Sequence, residues 1–270
     1  MYGLTVKSQH DYSPDGSVEA FRENGFTRVP GLLTDEEVAR YRTAALDAVG
    51  RDGVRRGPGS GHMISTADAW WNHDDLRRLA CHPRIGSIAE ELAGSPLRIW
   101  GGEVLLKQPQ DSGPTIWHDD LTFALLDSRL TFNVWIALVD VPVDRGCLTF
   151  LPRSHRRREP QRVTLSAALD NPGTYLFDQW PELVWSPRVT VPVRAGDGTF
   201  HQSRTAHMAG GNDSDEIRLS FLITYTDVDA VYQAPPGNNP MEQADLIPGQ
   251  PLPDDRFPRV RDVAGAPPGA

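Results

Sequence analysis

Between residues 98 and 226 the chain is written in short runs that alternate from side to side with a period of two, a pattern that commits most of it to antiparallel sheet. The runs cover 98–108, 131–138, 147–151, 189–193, 198–201 and 217–226, separated by Gly, Pro, Asp and Asn. Many short strands of this kind close up as a sandwich or barrel. Ahead of them the period changes. Thr34, followed three residues later by Glu37, makes a capping box, and Val38, Tyr41, Ala45 and Val49 continue at helical spacing, which predicts a helix ending at Gly50. Residues 26–33 carry Val29 and a Pro-Gly pair, the mark of a short strand and a turn. Pro83 opens a second helix through Ile85, Ile88 and Leu92, stopped by Gly94 and Pro96. The Gly- and Arg-rich stretch 50–61 is expected to be a mobile loop.

A length of 270 residues suits a single domain over 1–270, its core at about 18–226. Residues 227–270 hold nine prolines and no periodicity, so an irregular or partly disordered tail is expected there. Thirty-six acidic against 27 basic residues give a net charge of −9, which repels phosphate backbones and anionic membranes. Neither nucleic acid nor membrane is an expected partner; a small molecule is. The first 16 residues are polar, and no apolar run approaches the ~20 residues that span a bilayer. Cys81 and Cys147 are expected to be reduced core thiols, in keeping with a cytoplasmic location.

Two runs have unusual faces. In 131–138 one face is Phe132, Val134, Ile136 and Leu138; the other is Thr131, Asn133, Trp135 and Ala137. In 217–226 the apolar face is Ile217, Leu219, Phe221, Ile223 and Tyr225, opposite Arg218, Ser220, Leu222 and Thr224. A mixed face either meets water or lines a barrel that holds a polar ligand. Alternation alone leaves both open.

The segment Trp117-His118-Asp119-Asp120 supplies chemistry that bears on that choice. In extended chain, residues i and i+2 point the same way, so His118 and Asp120 can grip one ion together. His201 and His207 are the plausible third donors. Two imidazoles and one carboxylate make the facial triad of Fe(II) oxygenases, which leaves adjacent coordination positions open for an oxoacid and O2. Arg218 follows His207 by 11 residues, and a buried guanidinium needs a carboxylate partner.

Four segments then carry a family resemblance: FRENGFTRVPGLLTDEEV, LLKQPQDSGPTIWHDD, VWIALVDVPVDRGCLTFLPRSH and HMAGGNDSDEIRLSF. Together, in this order over about 18–226, they resemble the phytanoyl-CoA dioxygenase family of Fe(II)/2-oxoglutarate oxygenases. The resemblance implies a mainly β fold, a double-stranded β-helix (a cupin-like jelly roll) with N-terminal and flanking α-helices. It implies iron held by His118, Asp120 and His207, while His201, six residues too early, is a neighbouring barrel residue. It places Arg218 on 2-oxoglutarate, with Trp135 and Ser220 beside the co-substrate. Glu103 stands where relatives often have Met, and Ala209 where some have Ser. Glu103, Phe123, Trp70 and Trp71 are the candidate substrate contacts. Arg153-Ser154-His155 resembles a structural turn of the family, and Asp119 is expected to point into solvent or to reach a partner behind the ligands.

The implied reaction consumes Fe(II), 2-oxoglutarate and O2, with ascorbate as reductant in vitro, and releases succinate and CO2. The substrate, a small or polycyclic metabolite of bacterial secondary metabolism, would be hydroxylated, or epimerised, cyclised or desaturated from the same radical. Because related halogenases lack the carboxylate ligand, Asp120 argues against halogenation. Two other readings compete: a cupin-like metal enzyme that does not use 2-oxoglutarate, and a non-catalytic β-sandwich binding protein.

Overall fold

The structure, a computed structural model, describes residues 18–120, 125–157, 175–233 and 245–264. Two antiparallel sheets face each other. The larger is built from β1 (Phe26–Val29), β2 (Val54–Arg55), β3 (Ile64–Thr66), β4 (Leu97–Lys107), β7 (Thr131–Ala137), β10 (Gly198–Gln202) and β12 (Arg218–Asp227), in the order β1-β10-β7-β12-β4-β3-β2. The smaller contains β5 (Thr115–His118), β8 (Leu148–Phe150), β9 (Val189–Val191) and β11 (His207–Ala209), in the order β5-β11-β8-β9. Antiparallel sheets flanked by helices are the expected double-stranded β-helix architecture.

Register decides which side chains meet inside. Arg218 lies opposite Lys107, Ser220 opposite Leu105 and Ala137, and Leu222 opposite Glu103 and Trp135. Thr224 lies opposite Gly101 and Asn133, which in turn faces His201. Directly opposed residues share a face, so the mixed faces of β7 and β12 form one continuous surface. That surface turns toward the smaller sheet: Phe26 stacks on Phe150 at 4.4 Å, and His201 lies 4.6 Å from His207. The other face, with Phe132, Val134, Leu219, Phe221, Ile223 and Tyr225, is buried under helices. Phe21 of α1 (Val18–Asn24) meets Phe132 edge-on at 5.4 Å.

Local signals explain the helices. Thr34 caps α2 (Asp35–Asp52), accepting from the Glu37 amide at 3.3 Å, while Glu37 returns a bond to the Thr34 amide at 2.9 Å. The helix runs past Gly50 to Asp52, because one interior glycine costs only about 1 kcal/mol. Of the remaining front helices, α3 (Ala69–Asn72) and α4 (Asp74–Ala80) precede α5 (Pro83–Ala93), which ends on Gly94 in the left-handed conformation with φ +69°. The stretch expected to be a loop carries β2, which pairs with β3 at the sheet edge. A two-residue strand is too short to show alternation.

The Pro-rich segment is packed where it is described. β13 (Val231–Tyr232) pairs with β6 (Leu126–Asp127), and Leu252 and Phe257 join them in a small core. Buried Arg98 ties this region down, donating to the carbonyls of Leu252 at 3.0 Å and Phe257 at 3.1 Å. Both cysteines are free, Cys147 buried and Cys81 half-buried. No helix among the described residues is long and apolar enough to cross a membrane.

Candidate metal centre

β5 and β11 pair so that His118 lies directly opposite His207. His118 is the last residue of β5, and Asp120, two residues on, brings its carboxylate near both rings. One ligand atom from each of His118, Asp120 and His207 lies within 4.8 Å of the others, so the three can hold a metal ion. The rings of His118 and His207 are 4.3 Å apart and tilted by 51°. Each ring is oriented by the backbone two residues earlier. His118 Nδ1 donates to the Ile116 carbonyl at 2.7 Å and His207 Nδ1 to the Thr205 carbonyl at 2.9 Å. With Nδ1 protonated, the lone pair sits on Nε2, and both Nε2 atoms face Asp120 Oδ1, at 3.7 and 3.9 Å.

The second oxygen of Asp120 is occupied. Asn133 Nδ2 donates to Oδ2 at 2.7 Å and His201 Nε2 approaches it at 3.2 Å. His201 therefore serves the carboxylate rather than joining the ligand cluster. Burial pushes the Asp120 pKa up, but the His207, His201 and His118 charges and the His201 hydrogen bond overcome it and leave the group well below the usual carboxylate range. Burial takes the His207 pKa down to about 3 against the pull of Asp120, so that imidazole is neutral at ordinary pH. An ionised Asp120 and a neutral His207 are the protonation states in which these two groups can bind a divalent metal. Removing the Oδ2 anchor frees the carboxylate to rotate, so Asn133→Ala is expected to lower Fe(II) affinity about 10–100-fold in a chelator competition. Unchanged affinity would reduce Asn133 to a packing role.

Around the ligands, several sequence expectations change. Asp119 is buried, not solvated, and forms an ion pair with Arg157, whose guanidinium lies 4.3 Å over the Trp180 ring and also donates to the Arg204 carbonyl at 3.0 Å. A partner 38 residues away cannot be read from local sequence. Arg153 adopts φ +69°, and the Ser154 hydroxyl bridges the Leu151 carbonyl at 2.6 Å and the Ala206 amide at 2.8 Å, a structural link next to His207.

Trp70 lies on the helix-facing side of the sheet, away from the barrel interior. Trp70 is fully buried in the helix–sheet core, where a Cβ on Gly102 would come within 3.0 Å of it, and Trp71 packs at its edge. Gly102 is on the helix-facing side of β4, opposite Ile223. Glu103 does face inward, half-buried, with Arg56 Nη2 at 3.6 Å; burial above all raises its pKa. Phe123 lies outside the described residues.

At the far end of the interior, Arg218 is buried at 1% exposure, its guanidinium 5.0 Å over the Trp135 ring and Nη1 4.0 Å from Met63 Sδ. Burial lowers its pKa to about 10. Neither Arg218 Nε nor Trp135 Nε1 has a hydrogen-bond partner among the described residues. Ser220 is buried beside them, donating to the Leu105 carbonyl at 3.4 Å. Sequence reasoning passed over Lys107. It is fully buried, with Nζ donating to the carbonyls of Gly113 at 2.8 Å and Gly210 at 2.7 Å. The signal was present: Lys107 continues the inward alternation of Glu103 and Leu105.

Comparison with known proteins agrees with this geometry. The epimerase SnoN of nogalamycin biosynthesis, solved with Fe3+, α-ketoglutarate and nogalamycin RO, is 44% identical with a TM-score of 0.80, over 90% of this chain and 97% of that one. The α-ketoglutarate-dependent carbocyclase SnoK of the same pathway is 38% identical with a TM-score of 0.81, over 94% and 98%. Mouse phytanoyl-CoA dioxygenase domain-containing protein 1 is 27% identical over 56% of this chain, and the match spans only 53% of that relative. The methylphosphonate hydroxylase of Gimesia maris is 23% identical over 78% of this chain and 80% of its own length. The family model for phytanoyl-CoA dioxygenase matches residues 21–220, and the chain belongs to that family.

Proposed function

We propose that this chain is an Fe(II)- and 2-oxoglutarate-dependent oxygenase, with His118, Asp120 and His207 holding the metal and Arg218 the distal carboxylate of the co-substrate. The observation that carries the reading is buried Arg218, without a carboxylate partner among the described residues, on the same interior surface as Asn133 and His201, which hold Asp120. A desolvated guanidinium without an anion is costly, and a bound dicarboxylate removes that cost. Trp135 Nε1, buried and without a partner among the described residues, offers a further donor beside it. Bound at this site, iron and 2-oxoglutarate would activate O2, the oxidant, for removal of a hydrogen atom from a substrate carbon, with the 2-oxoglutarate leaving as succinate and CO2. The protein positions the metal, keeps its carboxylate ligand ionised and excludes water from the co-substrate end.

The substrate is a small or polycyclic molecule of a biosynthetic pathway, as nogalamycin RO is the molecule bound in SnoN. High identity to an epimerase and a carbocyclase over nearly the whole chain favours epimerisation or ring closure over simple hydroxylation. Product mass separates the outcomes. Incubation with Fe(II), 2-oxoglutarate, ascorbate and candidate polycyclic metabolites should release succinate. Unchanged product mass indicates epimerisation, loss of two hydrogens indicates ring closure or desaturation, and gain of one oxygen indicates hydroxylation. None of these should require chloride. Iron binding without any succinate release across a broad metabolite panel would move weight to a cupin-like metal enzyme that does not use 2-oxoglutarate.

A further inference from the structure

We propose that Lys107 is a second cation of the co-substrate pocket, taking up a proton when the distal carboxylate of 2-oxoglutarate arrives and offering it a charged N–H beside Arg218. The inference rests on the reading of Arg218 above. Register puts the two residues directly opposite each other on the interior face of β4 and β12. The carbonyls of Gly113 and Gly210 take two hydrogens from Lys107 Nζ. A neutral amine satisfies both with the two hydrogens it has. An ammonium carries a third, and no group among the described residues accepts it.

Among the described residues, the surroundings hold no compensating anion. From β12 the facing group is Arg218, which in turn is near the Cys147 thiol of the segment entering β8, a thiol pushed up to about 11 by burial and therefore neutral. Met63 contributes a thioether beside Arg218, and Asn212 Nδ2 donates to the Lys107 carbonyl at 3.1 Å. Glu103, four residues back on β4, is paired with Arg56. Burial first, then Arg218, brings the Lys107 pKa down to about 6, so the amine is mostly neutral in the free protein at ordinary pH. An anion set against two cationic side chains reverses that balance. Binding must then take up a proton, and affinity must fall as pH rises above the free-state value.

The alternative is a purely structural clamp, since Gly113 precedes β5 and Gly210 follows β11, the strands that carry His118 and His207. A clamp takes up no proton. The test is calorimetric titration of 2-oxoglutarate into the anaerobic Fe(II)-loaded protein near pH 7.5, in buffers of different ionisation enthalpy. Pyruvate is the control, because it has the same chelating oxoacid and no distal carboxylate. The expected result is an uptake of about half to one proton per 2-oxoglutarate and none with pyruvate. In Lys107→Gln, which keeps two N–H donors but cannot titrate, and in Lys107→Met, the uptake should vanish and affinity near pH 6.5 should fall about tenfold. Buffer-independent binding by the wild type, or the same uptake in Lys107→Gln, overturns the proposal and leaves the Arg218 reading standing. Failure of the wild type to bind 2-oxoglutarate at all overturns both.

Discussion

Replacing Arg218 with alanine is expected to weaken 2-oxoglutarate binding at least about a hundredfold while Fe(II) binding by His118, Asp120 and His207 survives. The side chain is 1% exposed and lies against Trp135, so a carboxylate bound there is taken out of water and depends on the guanidinium for its hydrogen bonds. Leaving one partner of such a pair alone costs ~3–5 kcal/mol, and each ~1.4 kcal/mol is a factor of ten. Arg218→Lys should recover only part of the loss, because an ammonium supplies charge without the planar fork. The measurement is anaerobic titration of the Fe(II) protein, followed by the metal-to-ligand charge-transfer absorption. Stability should move the other way. Without ligand the buried cation has no anion to face, so Arg218→Met should melt at least as high as the wild type while failing to bind the co-substrate. Unchanged 2-oxoglutarate affinity in Arg218→Ala would take the anchor out of the proposed function.

The sequence made some of this arrangement legible and hid the rest for physical reasons. Strands β4, β7 and β12 are long enough for alternation to show, and it correctly separated the interior set Asn133, Trp135, Arg218 and Ser220 from the helix-facing set. The capping box of α2 and the glycine stop of α5 are local signals and appear as read. β5 and β11 are only four and three residues long, and what makes them strands is pairing with each other and with β8, a non-local fact. The contact of His201 and Asn133 with Asp120 likewise follows from the antiparallel register of β10 and β7. For Trp70, composition identified an aromatic but could not say on which side of β4 it would lie. Lys107 was missed because a lysine ending an apolar run usually marks the exit to solvent, and here the chain instead folds two loops over it.

Gly25→Ala is expected to cost ~3 kcal/mol of stability and to weaken metal binding, although the residue touches no metal ligand. Gly25 has φ +87°, and for an L-residue such backbone costs about 1–2 kcal/mol. A Cβ there would also lie 2.4 Å from His155 Nδ1 and 2.5 Å from Thr205 Oγ1, an overlap that adds roughly 1–3 kcal/mol as the neighbours give way. The direction in which they yield is what reaches the site. The Thr205 hydroxyl donates to the Gly25 carbonyl at 2.8 Å, and the Thr205 carbonyl receives His207 Nδ1. Pushing Thr205 away therefore turns the His207 ring and displaces Nε2 from Asp120. Loss of such an orienting bond lowers metal affinity about 10–100-fold. Gly31→Ala separates the two contributions: Gly31 has φ +59° but nothing within 4 Å of its would-be Cβ, so it carries the backbone cost without the push. Urea unfolding should place Gly31→Ala about 1–2 kcal/mol below the wild type with unchanged Fe(II) affinity, and Gly25→Ala lower in both. Equal metal affinity in the two variants would mean that the corner at Gly25 supports the fold and does not orient His207.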